Sequence, residues 1–133
     1  MEVGLENLGK WPIPGEEARR KPVRMIVITR DKMLRVIHGK DYRIPVTFYV
    51  SNDLVHMGEI AVPPHIHSEP EEHKGDEVVF GLEGSLTVFL PETAQSFEVR
   101  EGEVFFTPEG VKHEYHNFTE KVVKAIFVIA PQL

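Results

Sequence analysis

Histidines and carboxylates crowd one short stretch of this chain. His65-x-His67 is followed by His73 and then Glu77, in a protein with only 7 histidines. Three imidazoles with several carboxylates make the donor composition of a site for a divalent transition metal. The alternative is a solvated acidic loop, because Glu69, Glu71, Glu72 and Asp76 would all be content in water. A fourth histidine, His113, lies downstream beside a tight turn, where it suits either a metal ligand or a satisfied core position.

The elements that must position these side chains are short strands. Gly102 to Asn117 reads GEVFFTPEGVKHEYHN: a strand from Val104 to Thr107, a Pro-Glu-Gly turn, and a strand returning near His113. Pro108 presets φ and Gly110 is free to take φ > 0. Residues two apart share a face of a pleat, so His113, Tyr115 and Asn117 look one way while Glu114 and His116 look the other. Further strands are expected at Val23 to Thr29, Val46 to Ser51, Leu54 to Val62, Glu77 to Leu82, Ser85 to Leu90, Phe97 to Val99 and Val122 to Ala130. Lys32 to Ile37 fits a short helix or a strand. Many short strands with almost no helical periodicity predict an all-β sandwich or barrel.

The spacing Gly102-x5-Pro108-x-Gly110-x2-His113-x3-Asn117 resembles the second motif of the cupin superfamily, with all five fixed positions filled in sixteen residues. In that family the histidine is a metal ligand, the glycines and proline build the hairpin, and the asparagine lies beyond the site. The resemblance covers roughly Val46 to Ile129 and is to the small single-domain cupins. It implies a double-stranded β-helix, a jelly-roll barrel with the metal inside one end. With this motif present, the metal reading of the upstream histidines outweighs the solvated loop.

The first cupin motif, G-x5-H-x-H-x3–4-E-x6-G, fits in two registers that share Glu77-x6-Gly84. One takes Gly58 and His65-x-His67, and needs an enlarged loop because nine residues separate His67 from Glu77. The other reads His65 at the glycine position and continues Glu71-x-His73-x3-Glu77 without insertion. Geometry favours the second, since residues 71 and 73 would share a face and a short loop returns Glu77 beside them. Under it the ligands are Glu71, His73, Glu77 and His113, and His65 and His67 sit near the barrel mouth as substrate contacts or as exposed loop residues. Mixed imidazole and carboxylate donors suit Fe, Mn, Ni, Co or Zn without selecting among them. Tyr115 shares the face of His113 and is either a hydrogen-bond donor to substrate or a packed aromatic.

The rest of the chain bounds the reading. With 133 residues it suits one domain, a polar arm over 1–22 and a barrel over 23–133. The arm carries Trp11, the sole tryptophan, which is expected to dock on the barrel or on a second subunit. A net charge of −6 with no basic stripe argues against nucleic acid. No apolar run approaches a bilayer span and the N-terminus does not read as a signal peptide, so a cytoplasmic protein is expected. Cysteine is absent, which excludes thiolate ligands and nucleophiles. Few amides and 10 prolines lean towards a heat-adapted source. A homodimer through the arm and the strand Val122 to Ala130 is expected by analogy.

Two functions fit. The resemblance implies a metal enzyme for a small oxygenated molecule, sugar-like or a carboxylate, by isomerase, lyase or dioxygenase chemistry. There His65, His67 or Tyr115 would move protons. The other is a non-catalytic binding or sensing module, encouraged by Glu71 in place of a histidine.

Overall fold

The computed structural model describes residues 26–38 and 43–133. The arm over 1–22, with Trp11, lies outside the described residues. Among these residues a 3-10 turn, Arg30–Lys32, leads into nine strands: β1 (Leu34–His38), β2 (Ile44–Ser51), β3 (His56–Val62), β4 (Asp76–Glu83), β5 (Leu86–Leu90), β6 (Gln95–Val99), β7 (Val104–Thr107), β8 (Glu114–His116) and β9 (Val123–Ala130). The strands form a six-stranded sheet in the order β1-β2-β3-β9-β4-β7 and a three-stranded sheet in the order β6-β5-β8. All pairings are antiparallel, giving the jelly-roll barrel that the strand pattern and the motif resemblance anticipate.

Period-two patterning builds the core. Along β9 buried and half-buried residues alternate throughout, so Val123, Ala125, Phe127 and Ile129 all point inwards. β3 alternates in the same way, and β4 turns Glu77 and Val79 inwards. Val62, Val79, Val88 and Val123 are almost wholly enclosed between the two sheets. Burying an aliphatic side chain of this kind contributes about 1.5–3 kcal/mol. Gly58 is a close-packing position: a Cβ there would lie 2.3 Å from the Thr47 carbonyl oxygen and 2.9 Å from the Phe127 ring.

Two expectations are corrected. The β-branched run Val23 to Thr29 makes no strand over its described part, residues 26–29. Val27 is open to solvent, and strand propensity without a neighbour to pack against does not make a strand. The ambiguous segment after it resolves into the 3-10 turn and β1. The strand Val122 to Ala130, a candidate dimer edge, is β9 in the middle of the large sheet, hydrogen-bonded on both sides by β3 and β4. Its backbone is therefore committed within the barrel.

Candidate metal centre

The site is assembled where the chain leaves β3 and doubles back along β8. Pro63, Pro64, His65 and Ile66 make a turn closed by the Ile66 N–H donating to the Pro63 carbonyl at 3.3 Å. His65 occupies its third position with φ of 60°. Pro at the second position and positive φ at the third define a type II turn, which favours glycine where His65 stands. His65 is the residue that the uninterrupted register reads at its glycine position.

Beyond the turn the chain lies against β8 without becoming a regular strand. Ser68 N–H donates to the Tyr115 carbonyl at 2.8 Å, and the buried Ser68 hydroxyl accepts from Tyr115 N–H at 2.9 Å. Glu71 and His113 exchange both backbone hydrogen bonds, at 2.8 and 2.9 Å. Gly110, with φ of 75°, closes the Pro-Glu-Gly turn and donates its N–H to the His73 carbonyl at 2.8 Å. Asn117 fastens the far end: its amide donates to the Val62 and Lys121 carbonyls and its oxygen accepts from Thr119.

These contacts bring Glu71, His73, Glu77 and His113 together. Donor atoms of Glu71, His73 and His113 lie within 4.8 Å of one another. His73 Nε2 is 3.8 Å from Glu71 and 3.6 Å from Glu77, and His113 Nε2 is 3.3 Å from Glu77 Oε1. Tyr115 Oη donates to that same Glu77 oxygen. The His113 ring donates Nδ1–H to the Val111 carbonyl at 2.8 Å, which leaves Nε2 as the atom facing the site. Neither His73 Nε2 nor His113 Nε2, both buried, has a partner in hydrogen-bond geometry.

The electrostatics follow from this crowding. Burial pushes the His73 ring below the ordinary histidine value, and the nearby Glu77 and Glu71 do not offset it. Burial works the same way on His113, but the Glu77 carboxylate and the Val111 carbonyl outweigh it and hold its value above the ordinary one. The same carboxylate thus favours a proton or a cation at His113 Nε2.

A cavity of about 360 Å³ opens onto the cluster. Glu71, His73, Glu77 and Tyr115 line one side; Val46, Phe48, Ile60, Val62, Phe127 and Ile129, from β2, β3 and β9, line the other. The cavity is therefore polar at one end and hydrocarbon over most of its wall.

Of the histidines singled out in the sequence, His73 lines this cavity, whereas the fully buried His113 and the outlying His65 and His67 are not among its lining residues. His65 is exposed and pairs with Glu120 at 2.8 Å. His67 stands opposite His116, on the face of β8 that points away from Tyr115. One residue that does line the site went unnoticed in the sequence. His38, at the end of β1, bonds Glu71 across the cavity rim, and this bond raises its pKa. Its only local signal was a place at the end of an apolar segment.

A family model for the cupin domain matches residues 58–129. Solved structures of similar fold include the polyketide cyclase RemF from Streptomyces resistomycificus, at 22% identity and a TM-score of 0.69, covering 81% of this chain and 80% of that one. A cupin domain from Bordetella pertussis Tohama I is 24% identical with a TM-score of 0.56, covering 64% of this chain and 90% of that one. Fe(II)-HppE, solved with the alternative substrate (S)-1-HPP, is 17% identical with a TM-score of 0.68, covering 79% and 60%. No curated protein matches the sequence. The structural likenesses establish fold alone. The family match spans more than half of the chain and takes in both the His65–Gly84 segment and the Gly102–Asn117 hairpin, and on that ground the chain belongs to the cupin family.

Proposed function

We propose that the cluster holds one divalent transition-metal ion through Glu71, His73, Glu77 and His113, and that the protein is a metal-dependent cupin enzyme. The observation that carries this reading is the pair of buried ring nitrogens, His73 Nε2 and His113 Nε2, which converge on the Glu71 and Glu77 carboxylates without a hydrogen bond of good geometry. A buried nitrogen without a partner is costly, and a cation among these four groups removes that cost. Two imidazoles and two carboxylates fit Fe, Mn, Ni, Co or Zn. When bound, such an ion supplies Lewis acidity to a substrate oxygen, and redox chemistry if it is iron or manganese.

The chain's own residues do the rest. Glu77 is held by Tyr115, so Tyr115 Oη stands beside the ligand set with a proton that it can lend to a substrate oxygen. His38 meets Glu71 at the rim, where a second proton can be held. The hydrocarbon wall of β2, β3 and β9 excludes water and suits a small organic molecule whose oxygen atoms are confined to one end. That favours an aromatic or alicyclic keto or hydroxy compound over a sugar. Isomerase, lyase and dioxygenase chemistry all remain compatible with it. That one protein of similar fold is a cyclase and another an Fe(II) protein supports a small-molecule enzyme.

A second reading has an observation of its own. Glu71 and Glu77 are already engaged, by His38 and Tyr115, as they would be in a binding module that holds a small ligand without turnover. A cytoplasmic homodimer belongs to either reading.

Metal content of untagged protein by mass spectrometry tests the site. His73→Ala and His113→Ala should each lower the content by one ion per chain, while Tyr115→Phe keeps it. Unchanged content in both histidine variants rejects the ligand set. Metal-loaded protein is then screened for turnover of small keto and hydroxy aromatics. Turnover lost in His113→Ala supports the enzyme, and saturable binding without turnover puts the binding module first.

A further inference from the structure

We propose that the protein carries a second site for a divalent cation of the zinc class, on the outer face of β8, formed by His67, Glu114 and His116. Donor atoms of these three residues lie within 4.8 Å of one another. Alternation along β8 makes the placement: His113 and Tyr115 point into the barrel, so Glu114 and His116 point out. The antiparallel bridge between His67 and His116 then sets the His67 ring against them.

The chemistry of the three groups is that of a ligand set. His67 Nδ1–H donates to the Ser68 carbonyl at 2.8 Å, which fixes the tautomer and leaves Nε2 as a free lone pair. His116 Nε2 lies 2.8 Å from a Glu114 oxygen, and with the ring proton on Nδ1 its lone pair and that oxygen can both face one cation. The two rings are stacked with centroids 4.8 Å apart, and Phe118 also stacks on His116 at 5.3 Å, so the second histidine is held in place. Ligands of one first-row ion stand about 2.0–2.2 Å from it, and the exposed His67 ring can rotate inwards to meet that need. Two imidazoles and one carboxylate with an open face suit zinc and leave room for water. This set shares no residue with the lumenal cluster. An ion there would tie the segment that carries Glu71 and His73 to β8 from outside.

The test is a Zn2+ titration of the apoprotein, read by calorimetry and by metal content after dialysis, on wild type, His67→Ala, His116→Ala and His113→Ala. Loss of a supporting partner already lowers metal affinity about 10–100-fold, so loss of a ligand should cost at least as much. His67→Ala and His116→Ala should each lose one ion per chain relative to wild type, and His113→Ala should retain the ion that they lose. If His113→Ala binds no zinc, or if wild type, His67→Ala and His116→Ala bind equally, the outer site does not exist. His67 is exposed, so His67→Ala is expected to fold. As a second readout, Zn2+ should shift the imidazole 15N resonances of His67 and His116 in the His113→Ala protein, and unmoved resonances would reject the assignment.

Discussion

Glu71 and His113 exchange two main-chain hydrogen bonds in an isolated antiparallel bridge, 42 positions apart in sequence. Residues so paired project their side chains to the same side, which puts the Glu71 carboxylate and the His113 ring into one site. The bridge lets an irregular segment place a side chain as reliably as a strand would. If the cluster binds a metal, the ion should stabilise the fold by mass action. At a free concentration about 100-fold above Kd the gain is about 2.7 kcal/mol, several degrees in Tm. In a His67→Ala background, which isolates the lumen, calorimetry should show that rise with added Zn2+, a smaller one in Glu71→Gln, and none in His113→Ala. Equal rises in all three would separate the stabilisation from this site.

Gly58 tests the packing behind the cavity. A Cβ there meets the Thr47 carbonyl oxygen at 2.3 Å, and backbone cannot step aside as a side-chain tip can. Gly58→Ala should cost about 1–3 kcal/mol in urea unfolding. At Gly110 nothing lies within 4 Å of an added Cβ, so only the positive φ opposes alanine. Gly110→Ala should cost about 1–2 kcal/mol. A harmless Gly58→Ala would mean that β2 and β9 are less tightly packed against β3 than these distances require.

The hairpin from Gly102 to Asn117 was legible because its signals are local: β-branched and aromatic residues, then Pro and Gly at fixed turn positions. From these the facing of His113 and Tyr115 follows by pleat alone. The upstream segment was harder. His65-x-His67 and Glu71-x-His73 have the same spacing, and from His67 to Gly75 there are only two isolated bridges, so no period tells inward from outward. Only the pairing with β8 separates them, and pairing is non-local. His38 was invisible for the same reason, since its partner Glu71 lies 33 residues away. Val23 to Thr29 misled because its composition suits a strand, while over residues 26–29 no neighbouring strand pairs with it.

His56 should make stability depend on pH. Burial holds its pKa below the ordinary histidine value of 6.5, and the neighbouring Asp53 does not restore it. Above that value the ring is neutral in both states and nothing is lost. As pH falls below it the unfolded chain takes the proton first, so folding becomes less favourable. The metal-free protein should therefore lose more stability than His56→Gln between neutral pH and the mildly acidic range, measured by denaturant unfolding at each pH. Parallel losses in the two proteins would show that burial of this ring sets no pH dependence.

His65 offers the sharpest check on how the chain enters the site. It holds φ of 60° at the third position of a type II turn, and its side-chain partner among the described residues, Glu120, is an exposed carboxylate. An exposed polar contact of this kind contributes at most about 1 kcal/mol. A left-handed backbone costs a non-glycine residue about 1–2 kcal/mol, and glycine escapes that strain at the expense of a floppier unfolded chain. His65→Gly should therefore leave stability unchanged or raise it slightly. His65→Val brings a β-branched side chain to a conformation that it strongly avoids, and should destabilise. Thermal unfolding of the two variants should thus place glycine at or above wild type and valine below it. If valine is tolerated as well as glycine, the backbone at His65 is not the strained entry to the site that its positive φ implies.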